Sequence, residues 1–179
     1  MKIPADILGP NVRVVIVGSA KSVASAKAGH YYAHHSNRFW QLLRASGLTG
    51  GNALTFRDDR SVLEYGVGLT DVVPGRAESD DSKLLPEDMD LPGFIGKMEA
   101  LRPAVIAFNG GASANSVSKH LGHGPTSIGF AEWTLAGAAV WRLPSSSSRN
   151  AAGGYDSKEA AWIEFGRWTQ SRLEEVPQS

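Results

Sequence analysis

The sequence contains no cysteine among its 179 residues. This absence excludes disulfides, thiolate nucleophiles, zinc–thiolate sites and cysteine-ligated iron–sulfur clusters. An excess of charge of one sign is also lacking, because 18 basic side chains balance 18 acidic ones, so any contact with a polyanion must be local. No stretch approaches the roughly 20 apolar residues of a membrane span, and the N-terminus lacks the apolar core of a signal peptide. We therefore expect a soluble, cytoplasmic protein that does not bind membranes.

Composition and the alternation of apolar segments indicate the fold class. Hydrophobic residues make up 42% of the chain, enough for one domain over residues 1–179 with a substantial core, and we expect it to be a monomer. Short segments rich in Val, Ile and Ala predict buried strands at 12–17, 67–73, 104–108 and 138–143. Helical patterns lie between them, as the crossovers of parallel strands require. We predict an α/β fold: a three-layer α/β/α sandwich around a mainly parallel four-stranded sheet.

Apolar residues at helical spacing predict three helices. One is capped by Ser36 or Asn37, one is ended by Pro103, and one opens with a capping box formed by Asp156 and Glu159. The segment "AEWTLAGAAVW" could form a hairpin, which would make one edge of the sheet antiparallel.

Four loops follow the predicted strands, and in a parallel sheet such loops meet at one edge, where ligands bind. They read "GSAKSVASAKAGHYYAHHSN", "TDVVPGR", "NGGAS" and "PSSSSRN". All are rich in small or polar residues, which let backbone N–H groups and hydroxyls approach a ligand. The loops therefore predict one polar cleft. Residues 78–90 hold six acids and one lysine, which favours a solvated loop.

Three ligand classes can be weighed for these loops. The serine run is either a spacer or a ligand loop, and its place between a buried strand and a helix favours hydroxyls that hold a phosphodiester beside Arg149. His30, His34 and His35 could suggest a metal, yet cysteine is absent and the nearest acids are remote in sequence, so we expect neither metal nor cofactor. The G-x-S-x-G, G-x-G-x-x-G and P-loop spacings are also absent.

Taken in order, the stretches "VIVGSAKS", "GHYYAHHSNRFWQLLRASGLT", "YGVGLTDVV" with "AVIAFNGG", and "LPSSSSRNA" resemble the uracil-DNA glycosylase superfamily. They are most similar to its mismatch-specific uracil/thymine-DNA glycosylases. The resemblance implies a four-stranded parallel sheet and a monofunctional enzyme that hydrolyses the bond between a deaminated base and deoxyribose. It implies DNA as the partner, with the base leaving the helix before the chemistry.

The resemblance also assigns roles to residues of the loops. Ser145, Ser146 and Ser147 would grip the DNA backbone, and Arg149 would enter the duplex. Tyr32 would stack on the extruded base. Two further positions keep two possible roles each: Asn37 shapes the pocket or caps its helix, and Asn109 supplies a donor or serves in a turn.

One motif departs from the family pattern. Relatives have G-I-N-P-G, whose asparagine positions the attacking water, and this chain has Ala20 at that place. Three outcomes stay open. In the first, which we favour, backbone N–H groups around Gly18 and Ser19 stabilise the departing base and Asp71 reads the base or positions water. In the second, His34 supplies the missing function. In the third, the protein binds damaged or abasic DNA without cleaving it.

Overall fold

The computed structural model describes residues 3–149 and 154–176. Strands and helices alternate along most of this chain. The strands are β1 (Val14–Lys21), β2 (Val67–Ala77), β3 (Val105–Asn109), β4 (Gly129–Leu135) and β5 (Ala138–Leu143). The α-helices are α1 (Val23–Ala28), α2 (Phe39–Ala45), α3 (Leu91–Leu101), α4 (Gly111–His120) and α5 (Gly154–Glu175). Short 3₁₀ helices span Phe56–Tyr65, Asp81–Lys83 and Pro86–Asp88.

The strands form one sheet in the order β2-β1-β3-β5-β4. The first four are parallel, and β4 runs antiparallel to β5 at the edge. The prediction of a mainly parallel α/β sheet is confirmed, but the predicted count of four strands is corrected to five within the described residues. The fifth strand comes from the hairpin. Its turn holds Ala136 and Gly137, whose φ angles of 52° and 79° are of the left-handed kind that suits the twist of a two-residue hairpin.

Helices cover both faces of the sheet because side chains of a strand alternate between the two faces. On one face, Ile16 packs in a cluster with Phe39 of α2 and Trp162 of α5. On the other face, Val15 packs in a cluster with Phe94 of α3 and with residues of α4. The three-layer arrangement follows from these two apolar layers.

Local sequence signals explain most helix ends. The side chain of Asn37 accepts a hydrogen bond from the N–H of Phe39 at 3.0 Å, but the N-cap of α2 is the next residue, Arg38. Helix α3 ends at Leu101, before Pro103. Helix α5 begins at Gly154, so Asp156 lies in its first turn and not at its N-cap.

The N-terminal segment adds a short contact to the edge of the sheet. Ile7 and Leu69 exchange two backbone hydrogen bonds of 2.9 and 2.8 Å and form an isolated antiparallel bridge. The bridge covers part of β2 and holds Asp6 close to the carboxyl ends of the strands. In the part of the chain that the structure describes, no helix is both long and apolar enough to cross a membrane.

Candidate active site

A cleft of about 440 Å³ opens at the carboxyl ends of the parallel strands. The four loops that were predicted to meet there all contribute to its walls, so Tyr32 and the serine run face the same space. The predicted site residues that line it are Gly18, Ser19, Tyr32, Asn37, Asp71, Asn109, Ser145, Ser146, Ser147 and Arg149. Ala20 also lines the cleft, where its methyl group offers no hydrogen bond. Residues Asn150 and Ala151, which end the last of the quoted stretches, lie outside the described residues.

Asp71 and Lys21 form a charge pair at the cleft. Their side chains are only 4% and 2% exposed, and the Lys21 Nζ lies 2.8 Å from the Asp71 Oδ2. Burial raises the pKa of the Asp71 carboxyl, while the charge and the hydrogen bond of Lys21 oppose that increase. The two opposite charges let both groups stay in a wall from which water is largely excluded.

Further residues fix the position of the Lys21 side chain. Asp6 lies 3.8 Å from the Lys21 ammonium and 2.7 Å from that of Lys97. The hydroxyl of Tyr31 donates to Asp6 at 3.2 Å, and the Lys21 ammonium lies 4.4 Å from the centre of the Tyr31 ring. The position of Lys21 is therefore fixed from several sides.

Gly18 brings the backbone of β1 against the carboxylate of Asp71. A Cβ at Gly18 would overlap Asp71 Oδ1 and would lie 3.3 Å from the hydroxyl of Tyr32. Only glycine lets the strand approach these two side chains so closely, and the space in front of its backbone stays open to a ligand.

Tyr32 presents an aromatic ring and a free hydroxyl to the cleft. Its φ of 51° is in the left-handed region, which is uncommon for a bulky residue and marks a constrained position. One ring face stacks on Phe39, with 3.7 Å between centroids and 13° between planes. Its buried hydroxyl has no partner among the described residues. Burial, followed by the charge of Asp71, raises the pKa of this hydroxyl, which therefore remains a donor.

The serine run is a fixed loop and not a spacer. Ser146 is 1% exposed, and its backbone carbonyl accepts a hydrogen bond of 3.0 Å from the N–H of Arg38. The backbone carbonyl of Ser147 accepts a hydrogen bond of 2.9 Å from the Lys158 ammonium. The backbone carbonyl of Pro144 accepts one of 3.2 Å from the indole N–H of Trp162. These bonds join the loop to α5 and to the segment before α2. The serines at the cleft are thereby pre-positioned.

Arg149 stands at the open end of the serine run. Its side chain is 65% exposed, and its nearest acid is Asp80, with 4.0 Å between Nη1 and Oδ2. This separation leaves the guanidinium available to another anion.

The acidic stretch 78–90 only partly meets its prediction as a solvated loop. Its first residues, 78–82, line the cleft, because β2 runs on to Ala77 and carries them there. The Ser19 hydroxyl donates to Asp81 at 3.1 Å. Partial withdrawal from water raises the pKa of Asp81 despite that bond, and the charge of Asp80 adds to the increase.

The structure does not bring His34 into the cleft. The ring is exposed, is not among the lining residues, and stacks on His35 with 4.5 Å between centroids. Its Nδ1 lies 2.8 Å from the hydroxyl of Ser36, which lies 2.7 Å from that of Ser148. His34 is thus linked to Ser148 of the serine run through the hydroxyl of Ser36. No cluster of three potential metal ligands exists within residues 3–149 and 154–176.

Sequence reasoning missed several residues that line the cleft, and two of them, Lys21 and Asp81, contact predicted site residues. Lys21 was passed over because a lysine next to a loop usually lies in solvent. Asp81 was not predicted because it lies in an acidic stretch, and such stretches are usually solvated loops. The available signal for Lys21 was a charged residue shortly after the apolar run of β1, and the structure places it as the last residue of that strand.

Comparisons with known proteins agree with this geometry. Residues 5–166 match the model of the uracil DNA glycosylase superfamily. A region that covers 59% of this chain is 34% identical, over 109 residues, to the G/U mismatch-specific uracil DNA glycosylase of Schizosaccharomyces pombe, and it corresponds to 33% of that protein. The chain thus spans about a third of the length of this relative.

The fold is also similar to that of a solved structure. The solution NMR structure of a candidate uracil DNA glycosylase from Methanosarcina acetivorans superposes with a TM-score of 0.64 at 24% identity, over 93% of this chain and 96% of the other. At this identity the likeness concerns the fold. Because the family match contains all four loops of the cleft, the chain belongs to the uracil DNA glycosylase superfamily.

Proposed function

We propose that the protein is a monofunctional DNA repair glycosylase that hydrolyses the N-glycosidic bond of uracil, or of another deaminated base, in DNA. Water adds to C1′ of the deoxyribose, the base leaves, and an abasic site remains. The observation that carries the proposal is the shared cleft, in which the aromatic ring of Tyr32, the carboxylate of Asp71 and the serine run face one another.

The cleft divides into a base region and a backbone region. Tyr32 stacks on the extruded base, and Asp71 accepts a hydrogen bond from the base edge. Ser145 and Ser147 hold the phosphodiester through hydroxyls and N–H groups, as is typical of DNA backbone contacts. Arg149, which is largely exposed, enters the duplex where the base has left.

Bond breaking in this cleft proceeds without the side chain that relatives use to position water. Ala20 cannot supply it, so catalysis relies on departure of the base. The N–H groups around Gly18 and Ser19, with the DNA phosphates, stabilise the charges of the separating base and sugar. A missing general base costs about 10²–10⁴-fold, which leaves a slower but active enzyme.

A cleavage assay tests the proposal. Duplexes with a U·G mismatch and single strands with uracil are incubated with excess protein and then treated with alkali, which cuts abasic sites. We expect cleavage at the uracil after alkali and intact strands before it, because a monofunctional enzyme leaves the backbone whole. Strands that stay intact after alkali would overturn the catalytic proposal for uracil.

Ala20 also favours one alternative, a protein that binds damaged or abasic DNA without cleaving it. A protein of this kind would bind abasic duplexes tightly and would release no base in the cleavage assay. Salt titration separates both candidates from a small-molecule hydrolase, because binding through DNA phosphates weakens steeply as salt increases.

A further inference from the structure

The charge pair of Lys21 and Asp71 has a property that neither residue has alone. Together they place a hydrogen-bond donor and a hydrogen-bond acceptor side by side at the wall of the cleft, with 2.8 Å between their atoms. The pair is neutral overall, so it neither attracts nor repels the DNA backbone at long range.

The surroundings of Lys21 indicate a functional role for the ion pair and not a contribution to stability alone. A buried ion pair seldom stabilises a fold more than apolar residues of the same size would. Several contacts nevertheless fix the position of Lys21 beside Asp71. The register of β1 against β2 shifts between Ala20 and Lys21, and such irregularities re-aim side chains next to active sites. Asp6, at 3.8 Å, and the ring of Tyr31, at 4.4 Å, then hold the ammonium in place.

The hydrogen-bonding positions that the pair leaves free determine which edge of a base it can bind. An ammonium carries three donors and a carboxylate has about four acceptor positions, so the bond between Lys21 and Asp71 leaves both able to bind further groups. A donor beside an acceptor complements an N–H beside a C=O. Uracil carries such an edge at N3 and O4, and hypoxanthine carries one at N1 and O6. Cytosine and adenine present the reverse pattern.

We propose that Lys21 is a catalytic and specificity-determining residue, which donates to a carbonyl oxygen of the base while Asp71 accepts from the neighbouring N–H. This inference rests on the proposed function. It assigns the substrate class: bases in which deamination has converted an amino group into a carbonyl next to a ring N–H.

Lys21 also acts on the step that breaks the bond. The electron pair of the C1′–N bond moves onto the base, and part of its negative charge reaches the carbonyl oxygen that Lys21 contacts. A fixed cation there binds the departing anion more strongly than the intact nucleotide, which is the condition for catalysis. Water adds to C1′ and releases a proton, the base takes up a proton, and Lys21 remains charged throughout.

The test compares Lys21→Met with Lys27→Met, a control at an exposed lysine of α1. In single-turnover assays on a U·G duplex, we expect Lys21→Met to be slower by about 10²–10³-fold, the usual loss of one oxyanion-stabilising group, and Lys27→Met to match the wild type. Affinity for an abasic duplex is measured alongside and should not change. An unchanged rate for Lys21→Met, with wild type active, overturns the inference and leaves the proposed function standing.

A change of leaving group separates this role from a structural one. 5-Fluorouracil leaves more easily because fluorine stabilises its anion, so the defect of Lys21→Met should be clearly smaller on 5-fluorouracil than on uracil. Equal defects on both bases would mean that Lys21 does not act on the leaving group.

Wild-type protein alone provides a check that does not depend on the folding of a variant. We expect release of uracil and hypoxanthine and no release of cytosine or adenine from matched duplexes. Release of cytosine at a rate similar to uracil would contradict the inference. Absence of activity on every base would instead contradict the proposed function.

Discussion

The side-chain amide of Asn109 makes two hydrogen bonds with a single residue of the serine run. Its Nδ2 donates to the Ser146 hydroxyl at 2.9 Å, and its Oδ1 accepts from the Ser146 N–H at 2.9 Å. Both groups are buried. The end of β3 therefore sets the position of the loop that follows β5, and we expect Asn109 to influence DNA binding by positioning Ser146.

Replacing Asn109 by alanine should loosen the serine run. A buried donor or acceptor that loses its partner costs about 1–3 kcal/mol, so we expect that decrease in the free energy of unfolding, together with weaker binding of abasic DNA. Chemical denaturation and a binding titration measure the two effects. Asn52→Ala is the control, since Asn52 is exposed and lies in a different loop. Full DNA affinity in Asn109→Ala would show that the loop holds its shape without this contact.

Asp71 should be essential for cleavage. We expect Asp71→Asn to slow single-turnover release of uracil by about 10²–10⁴-fold, because an amide cannot replace the charge opposite Lys21, while affinity for abasic DNA changes little. His34→Ala is the comparison, and it should keep most of the activity because its ring lies outside the cleft. If His34→Ala loses more activity than Asp71→Asn, the second outcome, with His34 as the catalytic group, is favoured instead.

The carboxylate of Asp81 should make DNA binding depend on pH. Its pKa is raised above the ordinary value of 3.8, so the group takes up a proton earlier than a free aspartate as pH falls. Protonation removes a negative charge from the cleft, so DNA affinity should rise as pH is lowered from neutral, and this rise should begin at a higher pH than a free aspartate would give. In Asp81→Asn this part of the pH dependence should be missing, and affinity at pH 7 should already be higher. If DNA affinity depends on pH in the same way in the wild type and in Asp81→Asn, the prediction is wrong.

Gly18→Ala should lower activity without unfolding the protein. The added methyl group would overlap the Asp71 carboxylate, so either Asp71 or the β1 backbone must move, and we expect a loss of cleavage of about 10²-fold, the effect of a displacement of about 1 Å. Gly96→Ala is the matched control, because a Cβ there meets nothing within 4 Å. Comparable activity of the two variants would mean that the contact of Gly18 with Asp71 is not needed.

Arg149→Ala should affect duplexes more than single strands. If the guanidinium fills the place of the extruded base, its loss matters only where a helix has to be kept open. Rates on U·G duplexes and on single-stranded uracil measure the difference, and Arg167→Ala, at an exposed position of α5, serves as control. Equal losses on both substrates would leave Arg149 as a simple phosphate contact.

Much of the fold was predictable because buried parallel strands carry a strong local signal. The strands over 67–73 and 138–143 lie within β2 and β5, and the hairpin was visible as an alternative. Helix α4 was not predicted. Its sequence, "GASANSVSKH", buries Ser113 and Ser118 beside Ala114 and Val117, so no apolar stripe marks it. Only its packing on the sheet makes it a helix.

The site was predictable where chain order and loop position determine it, as for Tyr32 and the serines. It was not predictable where two distant segments interact. Lys21 meets Asp71 through a shift in strand register, and Asp81 reaches Ser19 because β2 is longer than its apolar pattern. Neither event leaves a local pattern.

The bridge between Ile7 and Leu69 has a practical consequence for the design of expression clones. It carries Asp6 to Lys21, so trimming or fusing the amino-terminal residues would disturb the electrostatics of the cleft. Loss of Ile7, which is buried in the core, would add a loss of stability to that change. Binding and activity measurements should therefore use protein in which the segment that carries Asp6 and Ile7 is unaltered.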